Sequence, residues 1–240
     1  MSLFIDTTYR SNDTEIMDDF SMKGDLLRDT LDKLGKINKW LGGNQITING
    51  IKDLLKTQSK NKTYTIIDLG CGHGDMLRIA ADFGRKNGYK LKLIGIDANQ
   101  DTIDYANELS VDYSEISYVN EDIFSEAFLT RKYDIVLSTL FLHHFTNDEI
   151  ITLLTNLCRS AKLGVVINDL QRSELAYGLF KFLGLFISNH MIRQDGLTSI
   201  LRAFKRKDLE LLSKKLKVKS QIRWKWAFRY QWVISTDNIN

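Results

Sequence analysis

Ile66-Ile67-Asp68-Leu69-Gly70-Cys71-Gly72-His73-Gly74-Asp75 is the stretch that decides the fold. Residues 64–69 are a short apolar, β-branched run, and a helical pattern follows over 75–86. Between them lies a glycine-rich turn. Glycines let the backbone approach a ligand closely, and the start of a helix offers free N–H groups. Such a turn suits a nucleotide-like ligand at the carboxyl edge of a parallel sheet. The glycines fall as GxGxG, not as the GxGxxG of a dinucleotide site. Asp68 stands two positions before the first of them, where a carboxylate repels a pyrophosphate but accepts hydrogen bonds from an ammonium group. The expected ligand is a cationic nucleoside.

Strand and helix patterns alternate onward from this turn. Strands are expected at 91–96, 116–119, 133–139 and 162–168, with helices at 99–109 and 148–160. That alternation predicts an α/β fold, a doubly wound Rossmann-like parallel sheet. Upstream, residues 13–41 read as helical, with Gly24 as an interruption and Gly42-Gly43 as the stop, followed by a short helix at 48–55. Downstream, 174–191 reads as one aromatic-rich helix and 207–215 as another. Residues 218–224 and 228–235 alternate like strands, which predicts an antiparallel terminal pair.

Two more acidic positions fall at strand ends. In Ile96-Asp97-Ala98, Asp97 comes 23 residues after Gly74, placed to accept hydrogen bonds from ribose hydroxyls. In Glu121-Asp122-Ile123, Asp122 can accept from an adenine amino group and Ile123 can pack on the ring.

Asp-Leu-Gly-Cys-Gly-His-Gly, Ile-Asp-Ala and Glu-Asp-Ile, in this order, resemble the motifs of class I S-adenosylmethionine (SAM)-dependent methyltransferases. Tyr133-Asp134-Ile135-Val136-Leu137-Ser138-Thr139-Leu140-Phe141-Leu142-His143-His144-Phe145 is similar to the fourth-strand motif of their small-molecule branch. The resemblance covers residues 64–169. It implies SAM as cofactor and S-adenosylhomocysteine (SAH) as product. It also implies that Asp68, Gly70, Cys71, Gly72 and Gly74 hold the methionine end. Asp97 with Ala98 would hold the ribose, Asp122 and Ile123 the adenine, and Ser138 and Thr139 the methionyl side. A narrower set of matches, Asn38-Lys39-Trp40-Leu41-Gly42-Gly43, Asn168 to Ser173, and Arg193 to Gly196 with Arg202-Ala203-Phe204, resembles a bacterial subgroup found beside type III polyketide synthases.

The resemblance implies methyl transfer to a small hydrophobic acceptor through a phenolic, pyrone or quinone-like oxygen, or through carbon. An oxygen acceptor with a high pKa needs its proton taken. His144, and next His143, are the candidate bases, because they follow the fourth strand and imidazole titrates near about 6.5. Asp169 and the group His190, Arg193 and Asp195 are further candidates. Arg193 or Arg172 could pair with an anionic acceptor. Trp40, Tyr177 and Phe180, with Leu183, Leu185, Phe186 and Ile187, are expected to roof an apolar acceptor pocket. The chain thus divides as one domain over 1–240. A helical cap spans 1–60, the cofactor core 61–170, a helical acceptor lid 171–206, and a terminal helix and strand pair 207–240.

Composition narrows the alternatives. Among 240 residues there is no proline, where average usage would supply roughly twelve. Amino-group methyltransferases usually close the fourth strand with Asn/Asp-Pro-Pro-aromatic, and no such motif can exist here. Net charge is +3, yet residues 202–229 carry eleven Lys/Arg against two acids, leaving −6 for the remainder. That basic stretch keeps an RNA, DNA or protein methyltransferase as the alternative reading, and the missing Pro-Pro motif weakens the nucleic-acid version. A non-catalytic SAM-binding protein and an NAD-dependent reductase rank lower. Cys71 and Cys158 lack metal-site spacing and cannot make a disulfide framework, so no metal is expected. The N-terminus, Met1 to Asp6, shows no signal peptide, and residues 175–187 are too short to span a bilayer. A cytoplasmic location fits, with weak membrane-surface contact at most.

Overall fold

The computed structural model describes residues 5–236. Seven strands form one sheet: β1 (Thr63–Leu69), β2 (Lys90–Asp97), β3 (Ile116–Asn120), β4 (Tyr133–Thr139), β5 (Ala161–Leu170), β6 (Ser220–Lys225) and β7 (Arg229–Ser235). Their spatial order is β3-β2-β1-β4-β5-β7-β6. The first five are parallel, and β7 and β6 run antiparallel, as expected from the sequence. Strand order reverses between β1 and β4, and the carboxyl edge at such a reversal is where an open α/β sheet binds its ligand.

Nine α-helices are described: α1 (Asp25–Trp40), α2 (Gly43–Leu55), α3 (Asp75–Asn87), α4 (Gln100–Leu109), α5 (Glu126–Leu129), α6 (Asn147–Ser160), α7 (Glu174–Leu183), α8 (His190–Arg202) and α9 (Arg206–Leu216). Local chemistry explains several starts. The Asn99 side chain accepts from Thr102 N–H to cap α4, and Thr146 with Glu149 forms a capping box for α6.

Strand side chains alternate between faces, so the sheet builds two cores. Ile67, Leu69, Val136, Val165, Ile167 and Trp232 pack toward α6 and α9. Ile66, Leu93, Ile135, Leu137, Val166 and Val233 pack toward α2 and α3. Each fully buried Leu, Ile or Val contributes about 1.5–3 kcal/mol, so these faces set the sheet's register.

Three expected helices change. The span 13–41 is not continuous. A 3-10 turn (Ile16–Asp18) ends in extended Asp19, and α1 begins only after Gly24. Asp195 accepts both Ile16 N–H (2.8 Å) and Met17 N–H (3.0 Å), holding that turn as a separate unit. Gly42-Gly43 stops α1 as expected, and the helix expected at 48–55 starts earlier, at Gly43 itself. The helix expected over 174–191 is two, separated by a 3-10 turn (Gly184–Phe186), and Asn189 caps the second through Ile192 N–H. Among the described residues no helix is long and apolar enough to cross a membrane. The first four residues of the segment expected to lack a signal peptide lie outside the described residues.

Candidate active site

Asp68 comes off β1 on the α2/α3 face, 2% exposed, and its Oδ1 has no hydrogen-bond partner among the described residues. Burial pushes this carboxyl up to about 8, with Asp75 and Asp97 adding repulsion. A cation arriving beside it would remove both penalties. Gly70 follows at φ +62°, and a Cβ there would stand 2.1 Å from the Phe141 ring. Neither the backbone angle nor the space admits a side chain. Asp97 straps the loop to β2, its Oδ2 accepting Gly72 N–H at 3.1 Å and its Oδ1 accepting Asn99 N–H at 3.0 Å. Each oxygen keeps acceptor capacity for a hydroxyl. Cys71 is buried, its thiol pushed well above the usual range by burial and then by Asp97 and Asp68. Gly74 caps α3, and Ala98 is exposed beside Asp97.

The adenine pair divides. Asp122 is exposed and accepts Phe124 N–H at 2.9 Å, whereas Ile123 is buried in the core with Ile96 and Phe128. Ser138 and Thr139 also part company, because neighbours on a strand face opposite ways. Ser138 is 1% exposed on the α6 side with an unpartnered Oγ. Thr139 is on the Asp68 face and meets Thr47 of α2 at 3.0 Å.

The two histidines form a 3-10 turn (Leu142–His144) after β4. His143 is 2% exposed, and its Nδ1 lies 2.6 Å from Asp169 Oδ1 at the end of β5. His144 Nδ1 lies 2.7 Å from Asp18 Oδ1. Burial opposes ionisation of both carboxyls. Hydrogen bonds from His144, the Glu15 backbone and Arg202 outweigh it at Asp18. At Asp169 the charge and hydrogen bond of His143 outweigh it. Both acids are therefore carboxylates that only accept, so each histidine carries its proton on Nδ1. Asp169, expected as a further candidate base, is engaged by His143 and by Leu170 N–H. Arg202 fixes the cluster by bonding Asp18 Oδ2 at 2.6 Å and the His144 carbonyl.

Glu15 completes the corner. Burial pushes it up to about 7, although His144, Ser199 and Arg202 pull the other way. Its Oε1 lies 3.6 Å from His143 Nε2, and neither atom has a hydrogen-bond partner. Glu15, His143 and His144 bring three ligating atoms within 4.8 Å, a grouping no sequence spacing announced. Arg202 Nη1, 3.8 Å from Glu15 Oε1, fills the same corner with positive charge, which disfavours a cation there.

The expected acceptor residues scatter. Trp40 is 79% exposed at the end of α1. Phe180 packs against Gly196, joining α7 to α8, and Arg193 lies along Gly184. Tyr177 is half-buried on α7. His190 is exposed and Asp195 is spent on the Ile16 turn, so these two and Arg193 form no catalytic group. Arg172 donates to the carbonyls of Thr7 and Ala203 and to Asp208, a structural arginine. Leu183, Leu185 and Phe186 are exposed, at the end of α7 and in the 3-10 turn that follows it. Open clefts of about 460 and 450 Å³ lie beside Arg172 and His190, and neither includes the glycine loop. Sequence reasoning missed Glu15, Asp18, Thr47 and Asn44, none of which sits in a motif. Phe141 alone gave a signal, lying inside the fourth-strand motif.

Residues 66–164 match the family described as a methyltransferase domain. That segment is similar to methyltransferase domains, and the sheet around it has the Rossmann-like methyltransferase fold. It contains the glycine loop, Asp97, Asp122 and both histidines. Solved methyltransferases share the fold around it. The plantazolicin methyltransferase BpumL, in complex with SAH, is 17% identical over 86% of this chain and 89% of its own, with a TM-score of 0.64. Magnesium protoporphyrin IX methyltransferase from Synechocystis PCC 6803, with bound SAH, is 17% identical over 83% and 85%, TM-score 0.54. The CurJ carbon methyltransferase is 14% identical over 80% of this chain and 54% of its own, TM-score 0.60. No curated protein sequence matches the chain. The expected cofactor pair agrees with the SAH and SAM bound to these neighbours. The comparisons do not reach the narrower polyketide-associated subgroup.

Proposed function

We propose that the protein is a SAM-dependent methyltransferase that methylates an oxygen of a small hydrophobic acceptor. The observation that carries this reading is Asp68, a buried carboxyl with an empty acceptor atom beside a glycine loop strapped to Asp97. When bound, SAM supplies a sulfonium-activated methyl group, an electrophile that needs alignment more than activation.

Asp68 receives the ammonium and Asp97 the ribose hydroxyls. Asp122 takes the adenine amino group, and Thr139 borders the methionyl side. Phe141 stands edge-on to Phe145 at 5.0 Å, and Phe145 to Phe124 at 5.5 Å, an aromatic chain that excludes water beside Gly70. Asp18 holds the His144 proton on Nδ1 and leaves the Nε2 lone pair free. His144 Nε2 then accepts the acceptor's hydroxyl proton. His143, tied to Asp169, stacks on His144 at 4.4 Å and fixes its plane. The helical segments 5–60 and 171–206, outside the matched region, shape the acceptor site.

Calorimetry with SAH tests the reading. Micromolar binding is expected, and no binding of SAH or SAM would sink it.

A further inference from the structure

Arg229 opens β7 opposite Leu170 of β5, at the carboxyl edge of the sheet. Its side chain shares a face with Gln231 and with Asn168, the partner of Gln231 across the strands. That is the face on which Asp68 and Thr139 stand. Arg229 is 3% exposed, and its Nε and Nη1 have no hydrogen-bond partner among the described residues. The other buried arginines are fully engaged. Arg172 is spent on carbonyls and Asp208, and Arg202 on Asp18 and the histidine carbonyls. A guanidinium taken from water and left unpaired is strongly disfavoured. Burial accordingly pulls its pKa down to about 10, with Asp169 the one charge that opposes this. Asp169 already accepts from His143 and from Leu170 N–H.

Polar groups connect Arg229 to the glycine loop. Gly43 packs directly against the guanidinium and Asn38, where a Cβ would stand 2.9 Å from the guanidinium carbon and 1.9 Å from Asn38 Oδ1. Asn38 Oδ1 and Asn168 Oδ1 are buried there without partners. Asn38 bonds Asn44, and Asn44 reaches Asp75 at 3.3 Å, so polar groups run from the glycine loop to Arg229. Three strand steps of about 4.8 Å each separate β1 from β7, which sets Arg229 apart from Asp68, the residue assigned to the cofactor's ammonium.

We infer that Arg229 is the anion receptor of the acceptor site, and that the acceptor carries a carboxylate. The inference rests on the methyltransferase reading. It selects, within the small hydrophobic acceptors, those that are acids. The acceptor's carboxylate receives charge-assisted hydrogen bonds from the buried guanidinium, and an ester or amide of the same body cannot pair with it.

The test uses the full chain, wild type, Arg229→Met and Arg229→Lys. SAH is titrated first, then 1-hydroxy-2-naphthoate, 4-hydroxybenzoate and their amides into the SAH-saturated protein. The expected result is SAH affinity unchanged in Arg229→Met, with the wild-type preference for acid over amide, about tenfold or more, lost. Arg229→Lys should retain part of that preference. Thermal melting should show Arg229→Met at least as stable as wild type, because it removes an unpaired buried charge. Failure of SAH to bind wild type would defeat the methyltransferase reading itself. Normal SAH binding with no acid preference in wild type would defeat only this inference. So would a tenfold loss of SAH affinity in Arg229→Met, which would assign the guanidinium to the cofactor's own carboxylate. A large drop in melting temperature in Arg229→Met would make the residue structural and overturn it as well.

Discussion

Asp18 Oδ1 and His144 Nδ1 lie 2.7 Å apart although 126 positions separate them, so the amino-terminal turn orients the base candidate after β4. Replacing Asp18 by Asn keeps the shape but removes the charge and the exclusive acceptor. Methyl transfer should fall by about 10- to 100-fold with cofactor affinity unchanged, as for general-base alignment. The depressed Asp18 carboxyl also contributes stability that is present above its ordinary value of 3.8 and is lost as pH falls below it. The stability advantage of wild type over Asp18→Asn should therefore shrink steadily as pH falls below 3.8. An advantage that does not narrow with falling pH would refute the link.

Asp68 has the opposite sign. Its folded carboxyl titrates near 8 against an ordinary 3.8. Between those values the folded protein binds the extra proton, so stability is full below about pH 4 and declines as pH rises toward 8. Asp68→Asn should raise the melting temperature of the ligand-free protein at pH 8 and weaken SAH binding by about tenfold or more. Loss of both stability and binding would show Asp68 to be a structural acid.

Asp97→Ala should abolish measurable SAH binding, because it removes the ribose acceptor and also releases Gly72 N–H and Asn99 N–H. Asp97→Asn, which can keep one of those bonds, should bind more weakly than wild type but better than Asp97→Ala. Equal affinities across the three would remove Asp97 from the site.

Gly70→Ala places a methyl at φ +62° against the Phe141 ring. The strain costs about 1–3 kcal/mol, and the displaced ring disturbs the glycine loop. A lower melting temperature together with weaker SAH binding is expected. Gly70→Ala combined with Phe141→Ala should recover stability by removing the clash, and failure to do so would place the strain elsewhere.

Arg172 gives a contrast with Arg229, since every contact it makes is internal. Arg172→Met leaves Asp208 and several carbonyls without their donor, and about 3–5 kcal/mol of stability should be lost. Chemical denaturation measures this, and a change below about 1 kcal/mol would be inconsistent with the contacts described.

The cofactor core was legible in the sequence because its signals are local. Ile66 to Asp75 encodes a strand, a turn and a helix start within ten residues, and hydrophobic alternation marks the strands that follow. The helix breaks at Asp19 and Gly184 were not legible. Helical periodicity runs through them, and the groups that enforce them, Asp195 for the first turn and Asn189 for α8, act through specific hydrogen bonds. The orientation of the expected acceptor residues was not legible for a related reason. Apolar spacing over 174–187 predicts a helix but not which way its apolar face turns, and Leu185 and Phe186 turn outward.

By itself the sequence determined the fold class, the strand-loop-helix of the glycine turn, and the acids at the ends of β1, β2 and β3. These follow from backbone propensity and from side-chain period, which act over a few residues. Only the tertiary structure decided which charges find partners. It brings Asp18 to His144, Asp169 to His143 and Thr47 to Thr139, and among the described residues it leaves Asp68 Oδ1 and Arg229 Nε and Nη1 buried without a hydrogen-bond partner. Pairing across more than twenty residues is set by strand order and helix docking, and no local pattern records it.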